Sequence, residues 1–86
     1  MTNSEAPKEC EFITWKLDNF WGDSYNISFT NSSKVDAYRV WFQIIDGDNI
    51  IQDTSTAFVN ASSSILRGTI HCSDKAWIKL INCVKS

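Results

Sequence analysis

SYNISFT, at residues 24–30, alternates polar and apolar side chains at every position. Tyr25, Ile27 and Phe29 would share one side of an extended chain, because successive side chains of a strand point to opposite faces. The residues between them are Asn and Ser, which favour water. This alternation is typical of a β-strand with one buried face and one solvated face.

Residues 37–45 form a second strand-like stretch, in which both sides are rich in apolar residues. One side carries Tyr38, Val40, Phe42 and Ile44, and the other carries Arg39, Trp41, Gln43 and Ile45. This pattern predicts a central strand whose second face is covered by the domain itself or by a partner. The next residues, 46–49, read Asp-Gly-Asp-Asn and predict a tight hairpin turn.

Strand-like segments also lie at 11–17, 50–52, 54–59, 65–72 and 76–84, with turn-rich sequence between them. The spacing predicts an all-β fold, an immunoglobulin-like antiparallel β-sandwich of about seven strands. Trp15 and Trp77 are interpreted as core residues of the first and last strands. Residues 1–9 are polar and contain the single proline, so we expect a flexible N-terminal tail followed by one domain at 10–86.

The charge pattern argues against several classes of ligand. The formal net charge is −2, and no cluster of Lys and Arg could neutralise a run of phosphates, so no nucleic-acid partner is expected. No apolar run is long enough to cross a bilayer, and we expect no membrane insertion. Asp46, Asp48 and Asp53 lie near one turn but lack the spacing of a calcium loop, so no metal or cofactor is predicted.

No catalytic constellation is found in the sequence, and the chain is predicted not to be an enzyme. His71 is the single histidine, so a Ser-His or Cys-His pair would have to use it. Its neighbour Cys72 should point the opposite way if both lie in one strand. The expected role of His71 is therefore that of a surface residue.

Three cysteines are present, at Cys10, Cys72 and Cys83. Cys10 opens the first strand-like segment and Cys83 closes the last. These strand ends can lie close together in a sandwich, so the pair is a candidate disulfide, which would constrain most of the chain. The alternative is that all three are small buried apolar residues. We expect an extracellular or cell-envelope location, or a cytoplasmic one if Met1 is the native start.

Candidate binding residues come from the second face of the central strand. Arg39, Trp41, Gln43 and Ile45 are predicted to form a binding surface, and Trp21 joins them as a turn residue beside Gly22. The alternative is that Trp41 lies beneath a loop or the second sheet. Three Asn-x-Ser sequons are also present, at Asn26, Asn31 and Asn60, and they arise by chance or accept glycans in a secreted protein.

The central hairpin at residues 40–51 resembles the FxLYD domain family. Phe42, Ile44 and Asp46 match the motif that gives the family its name, and Ile45 stands in place of its tyrosine. The upstream segment 27–33 is similar to the family's Thr-Asn-x-Ser strand and turn, so the likeness covers roughly residues 24–70. This resemblance implies an immunoglobulin-like sandwich from bacterial envelope or secreted proteins, with no known catalysis.

A second resemblance is to the family-2 cellulose-binding modules. Its outline is met by Cys10, Trp21-Gly22, Tyr25, Asn31, Trp41 and Cys83. The chain is shorter than these modules, and their Gly-rich turns are missing. The resemblance implies a surface that binds polysaccharide.

These observations favour a non-catalytic interaction module that binds another protein. Two alternatives remain open: a carbohydrate-binding module acting through Trp21 and Trp41, and a small inhibitor or immunity protein that binds a partner enzyme. A homodimer through a sheet face or a sheet edge is a further expectation.

Overall fold

The computed structural model describes residues 6–86. One short 3-10 helix, Lys8–Cys10, precedes six strands within this range. The strands are β1 (Ile13–Trp21), β2 (Ser24–Asn31), β3 (Tyr38–Asp46), β4 (Asn49–Val59), β5 (Ser63–His71) and β6 (Ala76–Lys85). In this part of the chain, no helix has the length and apolarity needed to cross a membrane.

The strands form two antiparallel sheets of three strands each. Sheet A has the order β1-β2-β5, and sheet B has the order β4-β3-β6. The all-β, sandwich-like prediction is confirmed, with six strands in the described residues rather than about seven. The difference arises because segments 50–52 and 54–59 belong to one strand, β4, which bends through bulges opposite β3.

The core lies between the inward faces of the two sheets. Phe29 of sheet A packs on Phe42 of sheet B with ring centroids 4.9 Å apart, and both side chains are fully buried. The alternations predicted for 24–30 and for Tyr38 to Ile44 are confirmed, because their apolar members are buried or half-buried. Each buried aromatic ring removes roughly 150–250 Å² from water, which suits a domain with so few residues.

The chain reverses direction at two different ends of the sandwich. The loops β1–β2, β3–β4 and β5–β6 lie at one end, which we call the hairpin end. We call the opposite end the crossover end. It holds the loops β2–β3 and β4–β5, which pass between the sheets, together with the segment before β1 and the end of β6. Gly22 and Gly47 have φ of +56° and +63°, a left-handed conformation that glycine adopts without a steric penalty.

All four edge strands are interrupted by irregular pairing. The register shifts at Phe20 of β1, near Arg67 of β5, within β4, and at Ile81 of β6. Bulges at an edge break the row of unpaired backbone groups that would otherwise template another strand. The β5 bulge also breaks the alternation along this strand, because Leu66 and Ile70, four residues apart, would share a side of a regular strand, whereas Leu66 is exposed and Ile70 packs on the core.

A disulfide joins Cys10 to Cys83, the pair named from the sequence. It connects the segment before β1 to β6, where β1 faces β6 across the core. The described part of the predicted tail is ordered against the domain, because Ala6 packs on the core and Lys8–Cys10 forms the 3-10 turn. Residues 1–5 lie outside the described range.

Candidate interaction face

The outward side of β3 carries the predicted binding residues Arg39, Trp41, Gln43 and Ile45 together. No described element lies over this side, so the second face of the central strand is not covered within residues 6–86. Cross-strand neighbours extend it on both flanks, because paired residues of adjacent strands share a face. The neighbours are Phe58, Thr56, Asp53 and Ile50 from β4, and Val84, Asn82, Lys79 and Trp77 from β6. We call these twelve residues the β3 face.

The β3 face is rich in exposed apolar side chains. Ile50 is 56% exposed, Val84 46% and Phe58 40%. Trp41, in the middle, is half-buried by its neighbours and still presents part of its indole to solvent. The exposed side chains lie at both ends of the face, with Trp41 between them, and several exposed apolar residues on one face mark an interaction site more often than isolated ones do.

The outward side of sheet A has a different character. Its rows consist of Thr14, Thr30 and Ser64; Lys16, Ser28 and Leu66; Asp18, Asn26 and Thr69; and, at the hairpin tip, Trp21, Ser24 and His71. Leu66 and the tip residue Trp21 are the large apolar residues among them. The two outer surfaces of the sandwich therefore differ: most residues in the rows of sheet A are polar, whereas six of the twelve residues of the β3 face are apolar.

Two polar contacts order the β3 face. The Arg39 guanidinium lies 5.8 Å from the centroid of the Phe58 ring, a cation–π contact. The Gln43 side-chain amide donates to Asp53 Oδ1 at 3.0 Å, and the Thr54 backbone N–H donates to the same oxygen at 2.7 Å. These hydrogen bonds hold the pKa of Asp53 below its usual range, the Gln43 contact contributing most.

Trp21 lies away from this face. It ends β1 in sheet A, at the tip of the β1–β2 hairpin, and is 77% exposed beside the exposed Phe20. The structure therefore does not bring Trp21 together with the four β3 residues. Trp77, interpreted from sequence as a core residue, is half-buried on the β3 face opposite Ile45, so that interpretation was wrong.

His71 contacts two polar side chains at the hairpin end. Its Nδ1 lies 3.2 Å from Asp23 Oδ1 and 3.2 Å from Ser24 Oγ. In a catalytic triad the carboxylate and the hydroxyl occupy opposite ring nitrogens, so that one orients the imidazole while the other loses its proton. Here both partners meet the same nitrogen, in an exposed site, and the geometry of a relay is not formed.

Cys72 is buried beside the exposed His71. Burial raises the pKa of its thiol, and the negative charges of Asp46 and Asp23 raise it further. A nucleophilic cysteine requires a lowered pKa, so this thiol lacks activation. Within residues 6–86, no group of three or more His, Cys, Asp or Glu side chains is arranged to hold a metal ion.

Asp46 links β3 to the β5–β6 loop. Its Oδ2 accepts the backbone N–H of Ser73 at 3.0 Å, and its Oδ1 accepts the Ser73 hydroxyl. These bonds, the hydroxyl contributing most, lower the pKa of Asp46 below its ordinary value of 3.8. The carboxylate thereby fixes one loop of the hairpin end.

Asp46→Asn should lower the stability of the fold at neutral pH and have little effect in acid. The native pKa of Asp46 is lower than the unfolded value, so its stabilising contribution is present above about pH 4 and is lost as the pH falls through the native pKa. Urea unfolding of wild type and variant at about pH 7 and about pH 2.5 measures this difference. Asp48→Asn, in the adjacent turn, is the control; an equal Asp46 effect at both pH values would contradict the assignment.

The three sequons differ in accessibility. Asn60 is exposed in the β4–β5 loop, and Asn26 is half-buried on the outer side of β2. Asn31 is fully buried, and its side-chain nitrogen donates to backbone carbonyls of Asp36, Val59 and Asn60 at 2.8, 3.2 and 3.3 Å. A glycan on that nitrogen is incompatible with the folded state.

A shallow cleft of about 510 Å³ borders the β3 face near the disulfide. Val84 and Asn82 belong both to the cleft and to the face. Phe12 and Tyr38 line its floor with ring centroids 6.3 Å apart, and the rim carries Glu9, Glu11 and Lys85. The cleft extends the accessible apolar surface around the crossover end of sheet B.

Comparison with protein-family models, curated proteins and solved structures found no match to this chain. The resemblances to the FxLYD family and to family-2 cellulose-binding modules therefore stay predictions. The candidate site rests on the geometry of the β3 face.

Proposed function

We propose that this chain is a non-catalytic interaction module that binds another protein through the β3 face. The observation that carries the proposal is the contrast between the two outer surfaces. The rows of sheet A carry polar side chains apart from Leu66 and the tip residue Trp21, whereas the β3 face carries six apolar residues, among them Trp41, Phe58, Ile50 and Val84, beside six polar ones. Aromatic residues and arginine are the side chains most enriched where binding energy is concentrated.

The module is immunoglobulin-like in this proposal. In immunoglobulin lettering, strands A, B and E share one sheet, and C, F and G share the other, with C′ added beside C. The order β1-β2-β5 corresponds to A-B-E, and β4-β3-β6 corresponds to C′-C-F. A strand G would lie outside β6, and this is the position that is not filled within residues 6–86.

Trp41 is the expected centre of binding on this face. It lies on the middle strand, flanked by Thr56 and Asn82, so a partner would enclose its exposed part from every side. Burying a large aromatic at the centre of an interface, away from bulk water, gives the largest single-residue contributions. The disulfide supports a location in an oxidising compartment, the extracellular space or cell envelope.

The expected result is that Trp41→Ala abolishes binding that Leu66→Ala retains. Leu66 is a matched control, since it is a large apolar residue, 67% exposed, on the opposite outer surface. The experiment immobilises wild type and each variant, applies extract from the source organism, and quantifies retained proteins by mass spectrometry. Each identified protein is then purified, and its affinity for the three chains is measured. If binding is equal for wild type and Trp41→Ala, with both folded by circular dichroism, the β3 face is not the binding surface.

Polysaccharide binding is the second candidate function. Three aromatic residues lie on the adjacent strands β4, β3 and β6: Phe58, Trp41 and Trp77. Phe58 pairs with Arg39 and Trp77 pairs with Ile45, so the three form a diagonal strip across the face. Aromatic faces can pack on sugar rings, and this strip favours Trp77 over Trp21 as the partner of Trp41. The same variants test polysaccharide binding. Depletion of the wild-type protein, but not of Trp41→Ala, from solution by insoluble cellulose or chitin would support this function. No depletion of wild type above a buffer control would exclude it.

A further inference from the structure

We propose that the β3 face binds a second copy of this chain, forming a two-fold dimer whose axis runs along β3. This inference rests on the proposed function, because it uses the same face, and it names the partner. In such a dimer sheet B packs on sheet B, and β4 of one copy lies over β6 of the other. A two-fold interface uses the same patch of both copies, so when residue i contacts residue j of the partner copy, j also contacts i, and each such pair must be complementary.

The flanks of the β3 face meet this requirement row by row. Phe58 on β4 and Val84 on β6 flank Arg39, and both are apolar. Thr56 and Asn82 flank Trp41, and both are small and polar. Rotation about β3 therefore places apolar residues on apolar residues and polar residues on polar residues in these two rows.

The row nearest the hairpin end follows the same rule. Ile50 and Trp77 flank Ile45, and all three are apolar. In the dimer each Ile50 lies over the partner copy's Trp77, while Ile45 faces its own symmetry mate near the axis. Exposed apolar area on one flank is thus covered by exposed apolar area from the other.

The remaining row is the one with opposite charges on its two flanks. Asp53 lies on the β4 side of Gln43 and Lys79 lies on the β6 side. Rotation about β3 places each Asp53 over the Lys79 of the other copy and creates two ion pairs. Lys79 has no carboxylate partner within residues 6–86, so it is free to make this contact.

Arg39 is the one charged residue of the face that would approach the same residue of the partner copy. Its guanidinium, however, leans toward β4 over the Phe58 ring. Because β4 of one copy lies over β6 of the other, the two Arg39 side chains lie on opposite sides of the two-fold axis, each near the partner copy's β6. Their charges are therefore displaced from each other.

The alternative axis, across the strands, is less complementary. It would place Arg39 over Ile45, Trp41 over Gln43 and Asp53 over Thr56. Neither Asp53 nor Lys79 would then meet an opposite charge from this face. Charge complementarity therefore selects the axis along β3.

The area of the face sets the expected strength of the dimer. β3 has nine residues; with strands about 4.8 Å apart and a rise of about 3.3 Å per residue, the face covers roughly 400 Å² on each copy. This lies at the small end of specific interfaces, where association is weak and reversible. We expect a dissociation constant in the range of roughly 10–100 µM.

Sedimentation equilibrium of the full chain, from about 5 µM to about 1 mM, tests the dimer. Lys79→Glu should raise the dissociation constant at least tenfold, because it turns both ion pairs into repulsions, while Lys75→Glu in the β5–β6 loop should leave it unchanged. Asp53→Lys should also weaken self-association. An equimolar mixture of Lys79→Glu and Asp53→Lys should restore it, since the mixed dimer regains two opposite-charge pairs.

A chain that stays monomeric at 1 mM would overturn the proposal, as would a dimer that Lys79→Glu and Trp41→Ala leave unchanged. The Lys79→Glu result decides the matter by itself if Asp53→Lys, which removes bonds to Gln43 and Thr54, fails to fold. A monomeric chain that still captures a Trp41-dependent protein would disprove the dimer and leave the proposed function intact. If the chain is monomeric and also captures no Trp41-dependent protein, both the dimer and the proposed function are disproved.

Discussion

Reducing the Cys10–Cys83 disulfide should lower the free energy of unfolding by about 4 kcal/mol. The two cysteines are 73 residues apart in sequence, so the bond removes much of the freedom of the unfolded chain. Domains of this size are stable by only about 5–10 kcal/mol in total. Loss of the bond should therefore lower the melting temperature by roughly 20 °C.

Thermal and urea unfolding with and without a phosphine reductant measures this effect. The double variant Cys10→Ala, Cys83→Ala should melt near the reduced wild type, and the reductant should not change its melting temperature. Cys72 is present in every sample, so the comparison isolates the bond. Coincident transitions for oxidised and reduced wild type would show that the disulfide adds little to stability.

Asn31→Ala should destabilise the fold by about 3 kcal/mol, the second large effect that we expect. The Asn31 amide nitrogen donates to three backbone carbonyls, and its oxygen accepts the Ser33 N–H at 3.0 Å. Removing the side chain leaves these buried groups without partners. Asn31→Asp should be at least as harmful above neutral pH, because a carboxylate would then face carbonyl oxygens.

The matched control is Asn60→Ala, which changes an exposed sequon asparagine in the loop that Asn31 contacts. We expect this variant to lie within about 0.5 kcal/mol of wild type. Chemical denaturation of the three proteins at one pH gives the comparison. A loss below about 1 kcal/mol for Asn31→Ala would mean that water replaces the missing bonds, and that the network does not stabilise the crossover end.

Local alternation predicted much of the fold. The side chains of 24–30 and of the central strand divide between core and surface as their period of two requires, and the Asp-Gly-Asp-Asn turn joins β3 to β4. The apolar character of the second side of β3 was visible from sequence as well, but whether the domain itself or a partner covers it was left open; within residues 6–86 no element covers it.

Features that depend on strand pairing were not predicted. The bulge near Arg67 turns Leu66 outward, and no local signal identifies it apart from Gly68. Trp77 was assigned to the core because a tryptophan in a strand is usually buried, whereas its register opposite Ile45 places it on the β3 face. The buried role of Asn31 was not predicted, since composition does not distinguish an exposed asparagine from one whose amide bonds the β2–β3 and β4–β5 loops.

The two ends of the sandwich should have different evolutionary histories. At the crossover end, Asn31 and the Ser62 N–H, which donates to the Ser33 carbonyl at 2.8 Å, join the β2–β3 and β4–β5 loops to each other. An insertion in either loop would break bonds made by the other, so their lengths should be inherited almost unchanged. At the β1–β2 tip the Asp23 carbonyl accepts the Cys72 N–H at 3.0 Å, but the exposed side chains of Phe20 and Trp21 hold no other loop within residues 6–86 in place. Lineages should therefore diversify the chain there, keeping the crossover end as the fixed part of the domain.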